Sequence, residues 1–178
     1  MSNNIIFINR APVLTLWASV VAERLGFDHK AALSLGKTLA GLNAQSKGRR
    51  LGIYKPIELA EGKPPKKAKL GEEFWVELLG RPLPSIHTKH GIRAVDEDKP
   101  IEPEGVERYL AEKFGPALED ARKAMRTLAQ VFEPKELNAK GFSLYERFRP
   151  AIPDGVRGWG AKGELDLELI RSLEKRAE

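Results

Sequence analysis

Hydrophobic residues near the N-terminus recur every three or four positions. The set consists of Leu14, Trp17, Val21 and Leu25. This spacing predicts an amphipathic helix over 12–25, with Pro12 in the first turn, where a proline costs no helical hydrogen bond. Gly26 predicts the end of this helix, and Asp28 is a favourable N-cap for a second helix that extends to about Ser46. The pattern therefore predicts a pair of helices joined by a short turn.

Short β-branched and aromatic runs predict strands. IIFI at 5–8 predicts an edge strand, and FWVELL at 74–79 predicts another. RRLGIY at 49–54 and IHTKHGIRAV at 86–95 each predict a further short strand. GRPLP at 80–84 has the composition of a turn. These runs predict a short β-hairpin after the helix pair.

Helical spacing returns after residue 100. Pro103 begins a predicted helix that Gly115-Pro116 ends, and the next helix carries an apolar stripe from Leu118 to Phe132. Residues 134–148 predict no more than two short helical turns, and residues 150–163 predict a Gly/Pro-rich loop. A terminal helix is predicted from the apolar residues Leu165, Leu169, Ile170 and Leu173.

The expected fold class is α+β and mainly α-helical, with an N-terminal helix pair, a short β-hairpin and C-terminal helices. The expected organisation is a basic region over 1–100 and a helical region over 101–178, packed as one domain or as two close lobes.

Charge is distributed unevenly along the chain. Residues 1–69 carry 12 Lys or Arg against 4 Asp or Glu, whereas residues 70–178 carry 18 against 21. A basic half predicts DNA or another polyanion as a partner, and the alternative is a basic face that only contacts solvent.

Composition narrows the classes of function. The chain has no cysteine, which excludes a disulfide framework, a thiol nucleophile and a Cys-ligated metal site. No signal peptide pattern and no apolar run of about 18 residues is present, so a cytoplasmic protein without a membrane partner is expected. No hydrolase elbow or glycine-rich nucleotide loop occurs, and no cofactor or catalytic residue is predicted.

The stretch VVAERLGFDHKAALSLGKTLA raises a specific hypothesis. Ala22 is small where two helices would cross, Gly26 lies four residues later in the turn, and hydrophobic residues occupy the packing positions. Over residues 18–37 the chain resembles the helix-turn-helix superfamily of DNA-binding proteins. The resemblance implies that the start of the second helix enters a major groove. The side chains it would direct at DNA are His29, Lys30, Ser34 and Lys37.

Basic residues continue after the helix pair. Three follow the second helix directly and four lie before FWVELL: Lys47, Arg49, Arg50, Lys63, Lys66, Lys67 and Lys69. A helix pair followed by a hairpin with a basic tip resembles a winged helix, whose wing contacts phosphates. The alternative is a solvated Lys-rich loop. The preferred function is non-enzymatic DNA binding, as in a transcriptional regulator.

The second helix also supports a different interpretation. Small residues recur every four positions: Ala32, Gly36, Ala40 and Ala44. Such a seam allows another helix to approach closely, either within the chain or in a homodimer. The first alternative function is therefore a structural or adaptor protein that self-associates through this seam. The run AALSLGKT at 31–38 is similar to a phosphate-binding loop, but no strand precedes it, and we reject that interpretation.

Two further groups of residues are candidates for chemistry. His87 and His90 have a spacing compatible with metal binding, but they lack a defined third ligand, so no metal site is predicted. Arg147 and Arg149 lie near Trp159, which stands between two glycines. Trp159 either stacks on a ligand, in the pocket of a small enzyme, or anchors an irregular loop to the core.

Overall fold

The computed structural model describes residues 5–46, 73–96, 99–151 and 162–176. It confirms a mainly helical α+β fold. In chain order the helices and strands are β1 (Ile5–Asn9), α1 (Arg10–Leu25), α2 (His29–Ser46), β2 (Glu73–Leu78), β3 (Arg81–Thr88), β4 (Gly91–Asp96), β5 (Lys99–Pro100), α3 (Pro103–Phe114), α4 (Leu118–Gln130), α5 (Pro134–Phe148), β6 (Lys162–Asp166) and α6 (Leu167–Arg176). No helix in these ranges is both long enough and apolar enough to cross a membrane.

The predicted N-terminal helix pair is confirmed, and local chemistry explains its turn. Gly26 has a left-handed backbone with φ of 115°, and its N–H donates to the Glu23 carbonyl at 3.0 Å. The N–H of Phe27 donates to the Ala22 carbonyl at 3.1 Å, which completes a Schellman motif. Asp28 Oδ1 accepts the N–H of Ala31 at 2.8 Å and so caps the second helix, as predicted.

Helix α1 lies at the centre of the fold. Every side chain from Pro12 to Ala22 is buried, and α2, α3, α4 and α5 all contact the helix. The Trp17 and Phe148 rings meet edge to face with their centres 5.3 Å apart. The hydrophobic core therefore includes residues from both sides of residue 100.

A four-stranded antiparallel sheet has the order β2-β3-β4-β5. FWVELL forms β2 as far as Leu78, as predicted, but GRPLP is not a turn. The turn consists of Leu79 and Gly80, both with positive φ, while Pro82 and Pro84 lie within β3. Strand β4 pairs with β3 only over 85–88. Neither proline therefore has a β4 partner to which a backbone N–H would have to donate, and both are tolerated.

The remaining differences lie near the C-terminus. The predicted edge strand β1 pairs with β6, a strand that was not predicted because its residues were assigned to the loop and the terminal helix. Leu165 is buried in β6, and the terminal helix begins only at Leu167. Residues 134–148 form one continuous helix rather than two short turns. Gly141 does not interrupt this helix, because the helix packs on α1 and on Leu79.

Candidate functional site

The helix expected to read DNA is buried over most of its described length. Residues 31–40 are buried, except that Lys37 is half-buried, because α1 covers one side of the helix and β3 and β4 cover another. Ser34 is 0% exposed. Its hydroxyl donates to the Ala31 carbonyl at 2.8 Å and accepts the N–H of Ala94 at 2.9 Å. Ser34 was expected to face outward toward DNA, and this expectation is wrong, because its buried hydroxyl joins α2 to the sheet.

A network of charged side chains surrounds the start of α2. His29 Nδ1 lies 2.6 Å from Glu23 Oε1, and Arg126 donates to the same carboxylate at 3.1 and 3.3 Å. His29 Nε2 is 3.9 Å from Glu107, which also accepts from Arg122 at 2.8 Å. The network joins α1, α2, α3 and α4. Of its members, sequence reasoning singled out only His29.

One signal for this network is present in the sequence. Arg122 follows Leu118 by four positions and precedes Met125 by three, so it lies on the apolar stripe of α4. Its side chain is 7% exposed and pairs with two carboxylates. A basic residue on an apolar stripe thus marks a buried ion pair, although its partner on α3 cannot be read from spacing.

The two predicted lysines of α2 also contact helix α3. Lys30 Nζ is 3.8 Å from the Glu104 carboxylate, and the Lys37 ammonium lies 3.9 Å from the centre of the Tyr109 ring. His29 and Lys30 are exposed, and Lys37 is half-buried. The start of α2 is therefore bordered by acidic and aromatic side chains of α3, which reduces its positive potential.

The small-residue seam of α2 faces α1 of the same chain. Ala32, Gly36 and Ala40 are buried. A Cβ atom at position 36 would lie 2.5 Å from the Thr15 carbonyl oxygen and 3.0 Å from the Ser19 nitrogen. This confirms that the seam packs tightly against a helix. It also corrects the proposed dimer interface, because α1 already occupies the seam; the Ala44 side chain lies outside the described residues.

The arginines near the predicted irregular loop are separated by the buried Phe148. Arg147 is exposed and Arg149 is half-buried, while Trp159 lies outside the described residues. Arg149 is close to Arg10, a residue that sequence reasoning missed. Burial lowers the pKa of Arg10, and the charge of Arg149 lowers it further. Arg10 Nε donates a hydrogen bond to the main-chain carbonyl of Pro150 at 2.8 Å.

The two predicted histidines lie in different environments. His87 is half-buried in β3, and its Nδ1 is buried without a hydrogen-bond partner. His90 is exposed in the turn between β3 and β4, where its carbonyl accepts from Arg93 at 3.2 Å. Within the ranges that the structure describes, no group of three His, Asp or Glu side chains is arranged to hold a metal ion.

The basic residues assigned to the wing lie outside the described residues. They are Lys47, Arg49, Arg50, Lys63, Lys66, Lys67 and Lys69. The strand predicted at 49–54 lies outside them as well. No family model, curated protein or solved structure matches this chain. Its function is therefore inferred from its own residues.

Proposed function

We propose that this protein binds nucleic acid through the phosphate backbone, mainly with the basic segment 47–72. The observation that carries the proposal is the position of the charge. This segment contains eight Lys or Arg and three Asp or Glu, so its net charge of +5 equals that of the whole chain. Phosphate contacts by Lys and Arg supply most of the affinity of non-specific nucleic-acid binding.

The ion pairs of the helices favour this segment over α2 as the binding element. Arg122 and Arg126 pair with carboxylates of α3 and α1, and Lys140 and Arg171 pair with carboxylates on their own helices. Lys30 has a carboxylate partner as well. Each of these paired charges is partly neutralised by its carboxylate and therefore attracts a polyanion only weakly.

The burial of α2 supports backbone binding rather than base readout. A recognition helix needs several exposed polar side chains near its start in order to reach base edges. In α2 only His29 and Lys30 are exposed over 29–40, and both lie near carboxylates. The proposal is therefore binding with little sequence preference, and it assigns no base-reading role to Ser34.

The test is a titration of fluorescently labelled duplex DNA at several salt concentrations. The variant Lys63→Ala/Lys66→Ala/Lys67→Ala removes three charges from the basic segment. The matched control, Lys113→Ala/Lys123→Ala/Lys135→Ala, removes three exposed charges from α3, α4 and α5. The first variant should weaken binding to all duplexes alike and reduce the log–log salt slope by about 0.9 per lost phosphate contact.

The control variant should retain most of the affinity and the salt slope of the unmodified protein. Circular dichroism melts verify that all three proteins are folded. The proposal is overturned if the folded, unmodified protein does not bind duplex DNA at low salt. Equal losses in the two variants would also overturn the assignment to the basic segment.

A further inference from the structure

A groove of about 290 Å³ lies between α1 and α4. Its lining combines apolar and charged side chains, namely Val20, Glu23, Arg24, Arg126, Ala129 and Gln130. This volume is close to the lower end of the range for pockets that bind small molecules. The groove is therefore large enough for a small metabolite but not for a nucleic-acid duplex.

The positive charges of this groove are not equally compensated. Arg126 pairs with the carboxylate of Glu23. Arg24 is half-buried and donates one hydrogen bond to protein, from Nη2 to the Phe132 carbonyl at 2.9 Å. Its Nε is buried without an acceptor, and it forms no ion pair with a carboxylate in the described part of the chain. A partly desolvated guanidinium with one neutral acceptor lacks the anion that normally accompanies it.

Other arginines of the helices provide a comparison. Arg122 is more deeply buried than Arg24, and two carboxylates compensate its charge. Arg171 is half-buried, like Arg24, and pairs with a carboxylate on its own helix. Arg24 differs from both, because its side chain lines a groove and has no ion-pair partner among the described residues. Its guanidinium presents several donors in a fixed plane, a geometry that suits carboxylate and phosphate oxygens.

We infer that this groove binds a small organic anion that carries one carboxylate or phosphate group. The anionic group accepts hydrogen bonds from Arg24, and the apolar part of the ligand contacts Val20 and Ala129. Gln130 provides an amide donor and acceptor at the same groove. The site is independent of the proposed nucleic-acid binding, because none of its residues belongs to the basic segment.

Titration monitored by NMR tests this assignment on the full chain with labelled methyl groups. The probes are benzoate, phenyl phosphate and neutral benzamide, each added to about 10 mM. Saturable shifts of the Val20 and Ala129 methyl signals are expected with at least one of the two anions. Benzamide should cause no saturable shift there. Comparison of the Kd values from the benzoate and phenyl phosphate titrations identifies which anionic group the site prefers.

Two variants complete the experiment. Arg24→Gln should raise the apparent Kd of the responding anion about tenfold or more, because a charge-assisted contact is lost. Arg108→Gln removes the same charge from an exposed position on α3 and should leave the Kd unchanged. The basic-segment triple variant should also bind the anion normally.

Absence of saturable shifts at Val20 and Ala129 overturns the inference, as does an equal response to benzamide. An unchanged Kd in Arg24→Gln also overturns it. If Arg24→Gln does not fold, the comparison of the three probes on the unmodified protein still decides the outcome. Loss of DNA binding alone bears only on the basic segment.

Discussion

The Trp17 indole Nε1 donates a hydrogen bond to the main-chain carbonyl of Gly141 at 2.8 Å. The bond joins the central helix α1 to α5 across 124 residues of sequence. A Cβ at position 141 would collide with the side chain of Leu79, so α1, α5 and the β2–β3 turn all converge at this glycine. One buried contact thus connects the N-terminal helix pair to the C-terminal helices.

Trp17→Phe should lower the free energy of unfolding by about 1–3 kcal/mol. The substitution removes the indole donor and leaves space in the core, because Trp17 is fully buried. Urea denaturation measures the loss. Trp75→Phe is the control, since Trp75 is half-buried in β2, and it should cost less. Equal losses in the two variants would contradict a special role for the Trp17 bond.

Two glycines on α2 should respond in opposite directions to alanine. Gly36→Ala should destabilise the protein by about 1–3 kcal/mol, because the new Cβ meets the main-chain oxygen of Thr15, which cannot move easily. Gly41→Ala should stabilise it by about 0.5–1 kcal/mol, since position 41 is exposed and nothing lies within 4 Å of the new Cβ. Thermal melts of both variants check the difference in sign. Similar melting temperatures would show that α1 does not contact the seam.

Asn138→Ala should lower the free energy of unfolding by about 1–3 kcal/mol. Asn138 Oδ1 accepts the N–H of Leu79 at 2.6 Å, and Nδ2 donates to the Glu77 carbonyl at 3.2 Å. The amide therefore holds a turn in which Leu79 has the unfavourable φ of 51°. Ser143→Ala, an exposed position on the same helix, is the control for urea denaturation. A loss as small as that of Ser143→Ala would disprove the proposed support of the turn.

Alkaline pH should destabilise the protein through Tyr145. Burial raises the pKa of Tyr145 from 10.0 to about 12. The folded state therefore keeps a proton that the unfolded state releases above pH 10, so stability falls as the pH rises. The contribution is fully present below pH 10 and is lost between about pH 10 and 12, at up to about 1.4 kcal/mol per pH unit.

Urea denaturation at several alkaline pH values measures this contribution. Tyr145→Phe should show a shallower decrease of stability than the unmodified protein over the same interval. Other groups that titrate in this range act on both proteins, so the difference between the two curves isolates Tyr145. Parallel curves would show that the folded state does not hold the phenol proton.

The boundaries of the N-terminal helix pair follow from local sequence. Gly26 ends α1 because it adopts a left-handed backbone without steric cost, and Asp28 begins α2 because its carboxylate reaches an N–H three residues away. Both interactions span only a few residues. FWVELL is likewise apolar and β-prone enough to be recognised as a strand without its partner.

Tertiary contacts decided the features that local sequence could not specify. Ser34 is buried because α1 and the sheet cover α2, and its hydroxyl accepts the N–H of Ala94, 60 residues away. Helix α5 continues through Gly141 because Trp17 and Leu79 pack there. Strand β6 depends on pairing with β1 at the other end of the chain. Arg24 is a candidate anion-binding residue because the packing of α4 on α1 forms a groove beside it. Arg24 itself has no carboxylate partner among the described residues.

The sequence by itself therefore determined the fold class, the helix pair with its caps, and the concentration of positive charge in residues 47–72. Only the tertiary structure decided which face of α2 meets solvent, which charges are paired, and where a groove forms. The physical reason is range: caps and periodicity act within one or two helical turns, whereas burial and ion pairing depend on residues that folding brings together from distant parts of the chain.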